Sequence, residues 1–239
     1  MVSSLRSLDE NLISHIPPFR KLERSDIREI LDATTPKRFS AGQAIFEEDE
    51  PAERFYLLLD GHVRVVRTTA AGDQVIARHI VSGELMGIAS AIGRTTYPAS
   101  AVAIDDCLVL SWPTSLWATF VEKYDGFASE TYKTVGKRLS EANNHILELA
   151  TQQVEQRVAR ALLRLALQSS RNTDEGMEID FPLTRQNISE MTGTTLYTVS
   201  RLLSAWEKKG IVTSGRKKVV VTHLGKLKSL ADVDPTYEG

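Results

Sequence analysis

Residues 184–210 read TRQNISEMTGTTLYTVSRLLSAWEKKG, and this stretch decides the architecture. Thr184 is a side chain suited to cap a helix, and Ile188 and Met191 follow with the spacing of one buried helical face. Gly193 stands where a left-handed turn residue closes a short helix. Thr194 or Thr195 then caps a second helix whose buried stripe is Val199, Leu202, Leu203 and Trp206. Two helices around a Gly-containing turn, the second with a polar N-terminal face, predict a helix-turn-helix. Past Gly210, IVTS (211–214) and KVVVTH (218–223) alternate like strands around Ser214, Gly215, Arg216, Lys217 and Lys218. That is a hairpin with a basic tip, so the module is expected to be a winged helix-turn-helix.

Such a module suits double-stranded DNA, because a helix fits the major groove and presents its first turns to base edges. Thr195, Leu196, Tyr197, Thr198 and Arg201 occupy the exposed face there. Arg201 is the candidate guanine reader, since its planar fork matches O6 and N7. Thr198 suits a base or a phosphate, and Tyr197 can stack or hydrogen-bond. Arg185, Lys217 and Lys218 suit phosphates, which set position without sequence.

The charge distribution agrees. Residues 183–230 hold nine Lys and Arg against Glu190 and Glu207, a net +7, while the rest of the 239-residue chain is −9. A basic end on an acidic body is a footprint for a polyanion. Composition is that of an ordinary globular protein, with 42% hydrophobic and 25% charged residues, which excludes collagen-like and disordered chains. No apolar run approaches the roughly 18 residues of a membrane span, so no membrane partner is expected. The start, MVSSLRSLDENL, lacks a secretory pattern, and the expected compartment is the cytoplasm. The single cysteine, Cys107, excludes an internal disulfide and a Cys-rich zinc or iron–sulfur site.

Upstream, residues 5–35 look helical, with Leu22, Ile27, Ile30 and Leu31 near a 3.6 period and Pro36 as the stop. Glycines then recur at 42, 61, 72, 83 and 93 among short runs: FYLLL (55–59), HVRVV (62–66), QVIARHIV (74–81), AVAI (101–104) and CLVLSW (107–112). This predicts an all-β roll or barrel with a hairpin tip at AAGD (70–73). From 114 to 151 a single long helix is expected. Ala128, Tyr132, Val135, Leu139, Ala142, Ile146 and Leu149 form an a/d seam, flanked by Lys137, Arg138, Glu141, Asn143 and Asn144. Such a stripe suits a second copy of the chain, giving a homodimer; packing on the chain's own β domain is the alternative. Residues 151–170 form a second amphipathic helix through Val158, Leu162, Leu165 and Ala166, and Arg171 to Gly176 is a polar connector. The expected fold is α+β. It comprises an N-terminal double-stranded β-roll, or jelly roll (1–112), a long dimerisation helix (113–151) and a C-terminal winged helix-turn-helix (152–239).

This order resembles the CRP/FNR superfamily of bacterial transcription regulators. RFSAGQAIFEEDEPAERFYLLLDGHVRV (38–65) resembles the opening of the family's roll, VSGELMG (81–87) its effector cassette, and LTRQNISEMTGTTLYTVSRLL (183–203) its DNA-reading motif. The resemblance covers roughly 15–230. It implies dimers on inverted-repeat promoter sites, with RNA polymerase as a further partner. The family's guanine-reading Arg falls on Arg201 and its neighbouring Ser on Ser200. A Glu usual in the recognition helix falls on Tyr197, which removes a carboxylate that would accept from cytosine.

The resemblance also bears on the signal. The family's cyclic-nucleotide site uses a Glu for the ribose and an Arg–Ser pair for the phosphate, and those positions are Ile88, Pro98 and Ala99. Cyclic AMP is therefore not expected. An FNR-like iron–sulfur cluster needs several N-terminal cysteines, and there are none. A haem, another small ligand or no ligand remains, the last being a constitutively DNA-competent regulator. Haem needs an axial ligand in an apolar pocket. The candidates are His15, His62, His79, His145, Met86 and Cys107, with His145 beside the seam and His15 before Pro17 and Pro18 favoured. GIASAIGRTTYPASAVA (87–103) is similar to the nitric-oxide-responsive NnrR/DNR branch. A cupin-like enzyme would need clustered His and Glu, whereas His62, His79 and Glu84 are scattered, and no P-loop or catalytic triad order is visible.

Overall fold

The computed structural model describes residues 8–231. It has two compact units, one made of residues up to 63 with 80–141, the other of 64–79 with residues from 142 onward.

The N-terminal stretch is less helical than its periodicity suggests. A short 3-10 turn, Glu10–Leu12, is capped by the Asp9 carboxylate. Among the described residues, the only α-helix before the roll is α1, Arg24–Asp32, which buries Ile27, Ile30 and Leu31. Leu22 lies outside it. Pro36 does not stop a helix but sits within strand β1, Thr35–Phe39. Proline is tolerated there because β1 is the edge of its sheet.

The roll follows with β2 (Ala44–Phe46), β3 (Arg54–Asp60), β4 (Val63–Thr68), β5 (Gln74–Ile80), β6 (Leu85–Met86), β7 (Ser100–Ala103) and β8 (Cys107–Pro113). One sheet has the order β1-β8-β3-β6, the other β2-β7-β4-β5. β8 is the spine of the first, pairing antiparallel with β1 (Phe39 opposite Cys107) and β3 (Phe55 opposite Trp112). Phe55 stacks on Trp112 at 5.4 Å, and Phe19, Phe120 and Phe127 close round them. The Trp112 indole N–H donates to the Ile30 carbonyl at 2.8 Å, tying α1 to the roll. The Cys107 thiol is buried, and burial, with Asp105 beside it, pushes its pKa up to about 11. It packs within the core.

The expected single helix over 114–151 is broken. Helix α2, Trp117–Lys123, ends at Tyr124, whose backbone leaves the helical region (φ −118°, ψ 88°) as its ring is buried against Phe120. Helix α3, Asp125–Thr151, then carries the whole seam. Val135 packs against the chain's own core, whereas Tyr132, Leu139, Ala142, Ile146 and Leu149 are exposed. Packing on the chain's own core therefore applies at Val135.

In the second unit, α4 (Val154–Gln168) buries Val158, Leu162, Leu165 and Ala166. The stretch read as a connector is a hairpin, β9 (Ser170–Thr173) and β10 (Gly176–Ile179), with Arg171 opposite Glu178. Gly176 has φ +137°, and a Cβ there would meet the Val221 carbonyl oxygen at 2.3 Å, so no other residue fits without displacing backbone. Helices α5 (Arg185–Thr192) and α6 (Leu196–Lys208) come next, then β11 (Val212–Gly215), β12 (Lys218–Val221) and α7 (Leu224–Leu230). The sheet of this unit has the order β11-β12-β10-β9.

Candidate nucleic-acid interface

Local chemistry builds the helix pair. The Thr184 hydroxyl accepts from the Asn187 N–H, and the Asn187 side-chain oxygen accepts from the Thr184 N–H, both at 3.1 Å, closing a capping box on α5. Gly193 ends α5 in the left-handed region (φ 59°). The cap of α6 is Thr195, which accepts from the Thr198 N–H at 3.1 Å. Ile188 and Met191 bury one face of α5, and Val199, Leu203 and Trp206 one face of α6. Leu202, expected in that stripe, is only half-buried. The Trp206 indole N–H donates to Glu155 at 3.0 Å and fixes α6 to α4.

The expected reading residues share the opposite face. At 100° per residue, Tyr197 and Arg201 point directly away from Val199, Leu203 and Trp206. Arg201 is exposed and makes no ion pair or hydrogen bond among the described residues. Thr195 and Leu196 are exposed, and Thr198 and Ser200 half-buried. The other cations divide. Arg185 donates to the Ser214 hydroxyl at 3.3 Å and thereby braces the wing. Lys218 is held by Glu178 at 3.0 Å, which Arg171 also binds at 2.7 Å. Of the wing residues read as phosphate contacts, Lys217 is exposed and unengaged. Arg216, its neighbour in the two-residue turn, joins it.

Residues 156–230 match the Crp-like helix-turn-helix domain, and residues 36–124 the cyclic nucleotide-binding domain. The chain belongs to the CRP/FNR family of transcription regulators. It is 27% identical to the cyclic AMP receptor protein of Thermus thermophilus over 90% of this chain and 96% of that one. It is 22% identical to the CRP-like cAMP-activated global transcriptional regulator of Mycobacterium tuberculosis, over 91% and 97% of the two chains. The structure of FixK2 from Bradyrhizobium japonicum superposes with a TM-score of 0.73 at 26% identity, covering 82% of this chain and 96% of that one. These relatives are transcription regulators, not enzymes. Among the described residues, no helix is long and apolar enough to cross a membrane.

In this CRP/FNR regulator the cassette positions Ile88, Pro98 and Ala99 carry no charged side chain. Ile88 and Ala99 are buried and Pro98 half-buried. Phe46 stacks on Tyr97 at 4.1 Å, and the Tyr97 hydroxyl donates to the Arg54 carbonyl at 2.7 Å. Arg138 of α3, a polar flank of the seam, reaches the cassette and donates to the Leu85 carbonyl of β6. Its register on α3 gave no signal of this, because β6 is only two residues long.

The two favoured haem ligands do not fit a haem. His15 is exposed and hydrogen-bonded to the Asn11 carbonyl at 3.3 Å. His145 faces the Glu148 carboxylate at 3.5 Å, and that carboxylate also binds Arg164 at 2.6 and 2.8 Å, with Arg160 at 4.0 Å. This is an ionic cluster and not the apolar enclosure a haem requires. It sits where α3 gives way to α4, beside Arg157, which donates to the Gln152 and Thr192 carbonyls at 3.0 Å.

Burial by itself would raise the Glu148 pKa. The hydrogen bonds from His145 and Arg164, and the Arg164 charge, overcome that and hold it at about 2. The folded-state pKa lies below the ordinary value. The ionised carboxylate therefore contributes stability above pH 4.5, and that contribution is lost as the pH falls from 4.5 towards 2. Glu148→Gln is expected to lower stability at neutral pH and to flatten the loss over that acid window. Denaturant midpoints measured across the pH range check it; an acid limb unchanged by the substitution would refute it.

Proposed function

We propose that two copies of this chain pair through α3 and read an inverted-repeat DNA site, one α6 in each major groove, in response to an effector other than cyclic AMP. The observation that carries the reading is Arg201, exposed and unengaged on the face of α6 opposite its buried stripe. The exposed seam of α3 supports the pairing, since an apolar stripe at coiled-coil spacing gains most by burying itself on its own copy. Two-fold pairing predicts half-sites about 34 Å apart. A DNA target implies the cytoplasm, with RNA polymerase as the machinery acted upon. Against cyclic AMP stand Ile88, Pro98 and Ala99, which offer the phosphate no charge. Arg138, the cation that does reach the cassette, is engaged with the Leu85 carbonyl. No step runs through haem, and the nitric-oxide response suggested by residues 87–103 would need a ligand set other than His15 or His145.

Gel-shift titration on a selected promoter duplex tests this. Arg201→Ala is expected to cost ~1–3 kcal/mol on the specific site and to relax discrimination at one guanine. Cyclic AMP is expected to leave the affinity unchanged. An Arg201→Ala protein that keeps the wild-type ratio of specific to scrambled binding would refute the assignment. A cyclic AMP response would refute the effector half.

A further inference from the structure

Tyr197 stands where the family pattern has a carboxylate, and its place on α6 suits it to a different base. Tyr197 is 77% exposed, the highest value among the exposed large hydrophobic residues described. It lies one helical turn before Arg201 on the same outward line. The hydroxyls of the first turn are occupied: Thr195 and Thr198 lie 2.9 Å apart and close the N-cap. From Leu196 to Leu203 the helix carries no carboxylate and no side-chain amide.

The major groove asks for specific partners. Cytosine offers a donor that a carboxylate accepts, adenine pairs with an amide, guanine with an arginine fork, and thymine presents a methyl group to apolar surface. The outward face of α6 thus holds a guanine reader and a bare aromatic ring. We propose that Tyr197 reads a thymine methyl one or two base-pair steps from the guanine read by Arg201. Four helical residues advance about 6 Å, and base pairs stack about 3.4 Å apart, which sets that distance. The inference rests on the DNA-reading function proposed above.

The test uses the full chain and a duplex selected by the wild-type protein from a pool of random sequences. Each thymine near the Arg201-dependent guanine is replaced in turn by uracil, which removes only the methyl group. The expected result is one position, within two steps of the guanine, where uracil weakens wild-type binding about 3- to 5-fold, the equivalent of one methyl contact. Tyr197→Ala should show that loss already with thymine, bind the uracil duplex no more weakly, and keep its guanine discrimination. Tyr197→Phe should retain the thymine preference.

Three results would overturn the proposal: wild-type indifference to uracil at every such position, a thymine preference that persists in Tyr197→Ala, or Tyr197→Phe losing as much as Tyr197→Ala. The last would assign the contact to the hydroxyl and a phosphate. A selection that returns no preferred sequence would overturn the DNA-reading function itself, and this inference with it.

Discussion

Leu139→Glu is expected to turn a dimer into a monomer and to abolish tight binding to a two-half-site duplex. Leu139 is 63% exposed at the middle of the α3 stripe, between Tyr132 and Ile146, each one heptad away. In a two-fold pair the same position of both helices meets at the seam. Two carboxylates would then face each other in an apolar interface without a cation, at a cost of ~3 kcal/mol or more, over about 100-fold in dissociation constant. DNA affinity should fall in step, because a monomer engages one half-site and forfeits the gain from linking two. Leu167→Glu is the control. Leu167 is 62% exposed but belongs to α4 and not to the seam, so the dimer should survive its replacement. Sedimentation at micromolar protein reads both. A monomeric wild type, or a Leu139→Glu dimer as stable as wild type, would refute the pairing.

The second large effect is on stability. Trp206→Ala should destabilise the second unit by ~3–5 kcal/mol, the range for truncating a fully buried aromatic side chain. Trp206 is completely buried between α6 and its support, and its indole N–H is the partner of Glu155. Truncation leaves a cavity and an unpaired, half-buried carboxylate. Trp206→Phe separates the two, keeping most of the volume and losing the hydrogen bond, with an expected cost of ~1–3 kcal/mol. Denaturant unfolding followed by helical circular dichroism measures both. A Trp206→Ala midpoint close to wild type would mean that α6 is held by other contacts.

What the chain discloses before folding depends on how local its physics is. The helix pair was legible because each part signals within a few residues: Thr184 and Thr195 cap, Gly193 turns, and Val199 to Trp206 repeat on one face. The strands β3, β5 and β8 were legible as β-rich runs between glycines. β1 was not, since TPKRF is almost wholly exposed at an edge and carries a proline, and β6 is too short to show any pattern. The hairpin of β9 and β10 read as a connector because its cross-strand pair is the charged Arg171 and Glu178, leaving no apolar alternation. The break at Tyr124 is signalled only by the Asp125–Gly126 pair that follows it, and the Tyr124 ring is drawn into the core there. At the site, the exposure of Arg201 and Tyr197 followed from periodicity. That Lys218 is held by Glu178, Arg185 by Ser214 and His145 by Glu148 did not, because periodicity shows which face a side chain takes and not which partner meets it there.

If two copies read DNA as proposed, the Glu178 carboxylate has a consequence for the search along it. A regulator spends most of its time on the wrong DNA, and the strength of that hold is set by how many cations are available to displace counterions. By holding Lys218 and Arg171, Glu178 withdraws two charges from indiscriminate use while leaving Arg201 and the tip residues Arg216 and Lys217 available. The wing keeps its basic composition but lends only part of it to any passing duplex. On the proposed DNA-reading function, an anion inside the basic module lowers the charge lent to non-specific DNA and leaves the contacts to the specific site unchanged.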